Sequence, residues 1–85
     1  MPEPSHRRAF GGRVKELRTA RQWSQEDFAH RADLDRTYVS GIERGRRNPT
    51  LEVIHRLAET LGVDVADLFP TAGPSAHGSG GRLTP

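Results

Sequence analysis

Between Arg36 and Asn48 the chain gathers hydrogen-bond donors in a pattern that fits one face of a short helix and the loop behind it. At about 100° per residue, Val39 and Ile42 define one direction, and Thr37, Ser40, Gly41 and Arg44 point the other way. Arg36 and Tyr38 stand on opposite shoulders of that second face, and Glu43 turns toward the first. A guanidinium such as that of Arg36 can donate two parallel hydrogen bonds to a pair of acceptors, of the kind guanine presents as O6 and N7. Thr37 and Ser40 bring hydroxyls for base edges or phosphate, and the Thr37 methyl matches a thymine methyl. Tyr38 suits a base edge or a phosphate. Arg44 and the run Arg46, Arg47 and Asn48 add donors for a phosphate backbone or the adjacent minor groove. These four are expected to contact phosphate, as is Gln25, placed where a helix start offers unpaired N–H groups to an anion. Arg36, Thr37, Tyr38 and Ser40 are expected to contact bases.

Such a face has to be held by other elements, and the apolar periodicity supplies them. Phe10, Val14, Leu17 and Arg21 form a stripe that predicts a first helix over Phe10–Arg21, with Gly11 and Gly12 weakening its first turn. Ser24 is an N-cap candidate for a second helix, with Asp27 three residues on as in a capping box. Trp23 before the cap and Phe28 inside it suit a hydrophobic staple. Phe28, Ala29 and Ala32 form the buried side, and the helix stops near Asp33. Asp35 caps the third helix, Arg36–Arg44, and Gly45 ends it. A helical glycine at Gly41 costs about 1 kcal/mol relative to alanine, which makes sense where another surface approaches closely. Thr50 caps a fourth helix carrying Leu51, Ile54, Leu57, Ala58 and Leu61, and Gly62 closes it. Asp64 then caps a last short turn through Val65, Leu68 and Phe69, before Pro70. The predicted layout is a loose arm at 1–8, including Arg7 and Arg8; an all-α domain at 9–70; and a disordered Gly/Ser/Pro-rich tail at 71–85.

Charge divides along the chain. Residues 1–49 hold eleven Lys/Arg and seven Asp/Glu, whereas 50–70 hold one arginine and four acids. The first part is therefore suited to an anion and the second is not. There is no cysteine, so no disulfide framework or thiolate metal site is expected. No apolar run approaches the roughly 18 residues of a membrane span, and the first residues lack the apolar centre of a signal peptide. A cytoplasmic location is the expectation. His6, His30, His55 and His77 are scattered without metal-ligand spacing, and no phosphate-binding glycine loop or pocketed carboxylate pair is present. Catalysis, metals, cofactors and small-molecule ligands are accordingly not expected.

Two helices joined by a short corner, a basic loop and further helices together resemble the five-helix DNA-binding domain of phage repressors and Xre-like regulators, over Phe10–Phe69. The stretch RTYVSGIERGRRNPTL, Arg36–Leu51, is most similar to controller proteins of restriction–modification systems. One departure is Asp33, where that family usually carries glycine. The resemblance implies an all-α five-helix bundle and an ion pair between Arg18 and Glu43 that fixes a helix angle. It also implies a homodimer on near-palindromic operator DNA, with RNA polymerase as a further candidate partner. The apolar, acidic C-terminal end, with Leu61, Val65, Leu68 and Phe69, is the expected dimer face. An antitoxin or phage-type repressor of the same fold, and an adaptor that binds protein instead of DNA, are the alternative readings.

Overall fold

A computed structural model describes residues 5–70; the rest of the expected arm, 1–4, and the expected tail, 71–85, lie outside the described residues. Four α-helices, α1 (Ser5–Ala20), α2 (Gln25–Ala32), α3 (Arg36–Glu43) and α4 (Leu51–Leu61), precede a single 3-10 turn at Val65–Leu68. The expected fifth helix is thus corrected to one turn. Its limit is local: Phe69 precedes Pro70, whose ring disfavours the helical region for the residue before it, and Phe69 is extended at φ −110°, ψ 127°.

α1 starts five residues before its predicted beginning, so Ser5–Arg8 are helical and do not form an arm. Packing against the far end of α3 accounts for this. A Cβ placed on Gly45 would lie 2.6 Å from Arg8 Cγ and 2.9 Å from its Cα. Gly11 and Gly12 therefore sit inside the helix. Gly11 is buried where α1 crosses α3, and a Cβ there would strike the carbonyl oxygen of Ile42 and lie 2.7 Å from that of Glu43. The two backbones approach this closely because no side chain separates them.

The core is one cluster. Phe10 and Val14 of α1, Phe28 and Ala29 of α2, Val39 and Ile42 of α3, and Leu57, Ala58 and Leu61 of α4 close around Leu68 of the 3-10 turn. Trp23 stacks on Phe28 at 6.0 Å between ring centroids, and the Arg31 guanidinium lies 4.4 Å from the centre of the Trp23 ring. Arg21 ties two helix ends together, donating to the carbonyls of Leu17 and, at 2.6 Å, Leu61. The capping box at α2 is formed: Ser24 Oγ accepts from the Asp27 N–H at 2.9 Å, and the Ser24 N–H donates to Asp27 Oδ2 at 3.2 Å. These bonds, the one from the Ser24 backbone first, hold the Asp27 carboxyl below its ordinary 3.8. The box therefore contributes stability above that ordinary value and loses it as the pH falls through the lower folded one.

All four helices end in the same way. The residue after each helix, or one or two beyond, is left-handed, and paired N–H groups return to the last turn, as from Trp23 to Arg18, Leu34 to Ala29, Arg46 to Gly41 and Val63 to Ala58. Gly45 and Gly62 take this conformation at two ends, but Gln22 (φ 62°) and Asp33 (φ 58°) take it at the others. A side chain there crowds the following carbonyl, a cost of roughly 1–2 kcal/mol that glycine avoids and aspartate partly avoids. Glycine's larger unfolded-state entropy offsets part of this. Gln22→Gly and Asp33→Gly are each expected to stabilise the chain by about 0.5–1 kcal/mol, with Gln22→Gly the larger gain. The two should add in urea denaturation because they sit at separate helix ends. A loss in either variant would mean that the side chain, not the backbone strain, governs that corner.

Candidate nucleic-acid interface

A buried polar network joins α1, α2 and α3. Arg18 of α1 meets Glu43, the last residue of α3, through two parallel bonds, Nε to Oε2 at 2.7 Å and Nη2 to Oε1 at 2.9 Å. Both side chains are almost wholly removed from solvent. Arg18 Nη1 also donates to the Trp23 carbonyl in the α1–α2 corner at 2.8 Å. Gln25 Nε2, at the start of α2, donates to Glu43 Oε1 at 3.0 Å. One carboxylate thus joins α1, α2 and α3. A charge this deep is tolerated only because its acceptors are filled.

The predicted contact residues differ in how far they stand in solvent. Arg36 and Thr37 are exposed at the start of α3, Ser40 is half-buried one turn on, and Arg44 is exposed just past the helix. Asp35 caps α3 by accepting from the Thr37 N–H at 3.3 Å. Arg46, Arg47 and Asn48 are exposed in the α3–α4 loop. Tyr38 is half-buried and packs against the core, with the Arg47 guanidinium 5.4 Å from its ring centre. Gln25 is half-buried and already engaged by Glu43, so only part of its amide is available to a ligand.

Two features were not legible in the residue pattern. The Gln25–Glu43 bond joins positions whose spacing shows no period, and only the helix crossing brings them together. The helical extension of α1 places Arg8 beside Arg44 and Arg46 around a polar crevice that also reaches Glu43. Basic residues after a proline-containing start read as a solvated arm, and nothing in their order indicates packing on Gly45.

The expected dimer face is corrected in part. Leu61 (2% exposed) and Leu68 (0%) complete the monomer's own core. Apolar residues at the end of a small domain are the ones available to close it, so they turn inward. Val65 is half-buried, and Phe69 (45% exposed) lies on Phe10 with ring centroids 5.0 Å apart. Leu51, 68% exposed at the start of α4, is the other large apolar side chain left in solvent among the described residues. Also among the described residues, no group of His, Asp or Glu could hold a metal ion, and no helix is long and apolar enough to cross a membrane.

Residues 14–68 match the helix-turn-helix family model HTH_3. The control protein C.BamHI of Bacillus amyloliquefaciens is 45% identical over 67 residues, covering 75% of this chain and 83% of its own. The control protein C.MunI of a Mycoplasma species is 44% identical over 61 residues, covering 71% and 82%. Among solved structures, the restriction-modification controller protein C.AhdI from Aeromonas hydrophila superposes with a TM-score of 0.76 at 45% identity, over 78% of this chain and all of that one. The chain therefore belongs to the helix-turn-helix family HTH_3, alongside relatives that include restriction–modification control proteins.

Proposed function

We propose that this protein is a DNA-binding transcriptional regulator of the restriction–modification controller kind, which binds near-palindromic operator DNA as a homodimer. The observation that carries the reading is the outward face of α3. Arg36 and Thr37 stand in solvent at its N-terminal end, while the opposite face, Val39, Ile42 and Glu43, is locked into the protein. A helix with that division enters the major groove with its first residues at base edges. Arg36 is the candidate for a bidentate guanine contact, and Thr37, Ser40 and Tyr38 extend the reading along the helix. Gln25, Arg44, Arg46, Arg47 and Asn48 flank the face and would hold the phosphate backbone in register. The similarity to control proteins supports this reading over a protein-binding adaptor.

Two copies would place their α3 helices in successive major grooves, about 34 Å apart. With Leu61 and Leu68 internal, the second copy is assigned to the exposed Leu51 and Phe69 and the half-buried Val65. Leu51→Asp is expected to leave the fold intact, since the side chain is mostly in solvent, and to shift the sedimentation of a dimer toward the monomer. A wild-type chain that stays monomeric at every concentration, free and on DNA, would remove the homodimer.

The direct test is selection of duplexes from a random pool by the full chain, followed by footprinting on the DNA upstream of its gene. Recovery of a two-fold symmetric sequence is expected. Arg47→Ala should then weaken recovered and unrelated duplexes alike and flatten the dependence of affinity on salt by about one counterion. An unchanged slope would take Arg47 out of the phosphate-binding set.

A further inference from the structure

Gly41 lies in the middle of α3, where glycine is a poor helix former. The space above it is occupied by the chain's own loop. A Cβ at Gly41 would lie 2.6 Å from Arg47 Cγ, 3.3 Å from its Nε and 3.5 Å from its Cδ, and these Arg47 atoms are its nearest neighbours. The Arg47 stem therefore crosses α3 through a notch that only a missing side chain leaves open. Beyond the notch its guanidinium reaches the Tyr38 ring at 5.4 Å. Tyr38 is itself fixed, half-buried against the core by the same helix. A guanidinium held over an aromatic ring can still donate its N–H groups, which lie in its own plane, to other acceptors.

We propose that Gly41 is a positioning residue for DNA reading: its notch seats Arg47 on Tyr38, so that both side chains are ordered at the edge of the recognition face before DNA arrives. This rests on the DNA-binding function proposed above and assigns a role within it to a residue that touches no ligand. The gain is entropic. A free arginine loses several rotamers when it binds, whereas one already laid in a groove and held on an aromatic ring has lost them beforehand. The notch costs helix propensity, which a glycine here gives up in exchange for seating Arg47.

The test uses the full chain as wild type, Gly41→Ala, Arg47→Ala and the double variant. The probes are a duplex recovered by the wild type from a random pool and an unrelated duplex. Gly41→Ala is expected to keep the melting temperature within about 4–8 °C of wild type, because the gain in helix propensity is set against displacing the Arg47 stem from its seat. It should weaken binding to the recovered duplex by about tenfold. In the Arg47→Ala background the same change should leave binding within about twofold. In the free protein, ring-current shifts of the Arg47 δ protons should be present in the wild type and lost in Gly41→Ala. Three results would overturn the proposal: unweakened binding by Gly41→Ala, equal weakening with and without Arg47, or no ring-current shift in the wild type. Equal weakening would mean that the DNA itself comes close to the glycine. A wild type that recovers no duplex is a separate failure, that of the DNA reading itself, and it removes the proposal as well.

Discussion

Glu43→Ala is expected to destabilise the protein by about 3–5 kcal/mol, because it leaves the Arg18 guanidinium buried without its carboxylate. Folded domains of this size are stable by only about 0.05–0.15 kcal/mol per residue, so the loss would consume a third or more of the stability over residues 5–70. Thermal unfolding should fall by more than about 10 °C or lose its transition. The other bonds of the network cannot compensate. Arg18 would keep only the Trp23 carbonyl, and the Gln25 amide would lose its acceptor. The double variant Arg18→Met/Glu43→Leu separates two roles of the pair. Replacing both charges by apolar groups removes the desolvation cost together with the attraction, so stability should return to within about 1–2 kcal/mol of wild type. DNA affinity should remain reduced, because Gln25 and the end of α3 are no longer tied to one carboxylate. A double variant that is stable and binds like wild type would reduce the pair to a packing element with no part in setting the helix angle.

Arg36→Ala is expected to leave stability within about 0.5 kcal/mol, since the side chain is exposed and, among the described residues, makes no hydrogen bond or ion pair. Its effect should appear on DNA. Loss of a bidentate guanine contact costs about 1–3 kcal/mol, and the preference at a single base pair of the half-site should relax while the others persist. Binding to an unrelated duplex should change much less, because non-specific affinity comes mainly from phosphate contacts, which are proposed for Gln25, Arg44 and the loop and not for Arg36. Competition titrations with single-base variants of a recovered duplex measure both quantities. Equal loss on all sequences would move Arg36 to the phosphate-contacting group. Loss of preference at several base pairs together would indicate that α3 has shifted as a body.

The positions of α2 and α3 were legible from residue order because their signals are local. Ser24, Asp27, Asp35, Gly45 and the Val39–Ile42 pair act within a turn or two of where they stand, and the caps and the inward face follow from that spacing. Exposure of Arg36 and Thr37 follows from the same period. The ends of the fold were less legible. Whether Ser5–Arg8 continue a helix depends on Gly45, which lies far along the chain and admits Arg8 at close range. Whether Leu61 and Leu68 face a partner or the core depends on how much of the core the other helices leave open, and periodicity carries no information on that.

By itself, the order of residues determined the all-helical class, the helix-turn-helix and the outward basic face, since each arises from interactions among residues close in sequence. Tertiary structure alone decided which groups share a carboxylate, which apolar residues are spent on the monomer, and which surface approaches Gly41. Those outcomes depend on where backbones cross, and a crossing is set by the packing of the whole core rather than by any one segment.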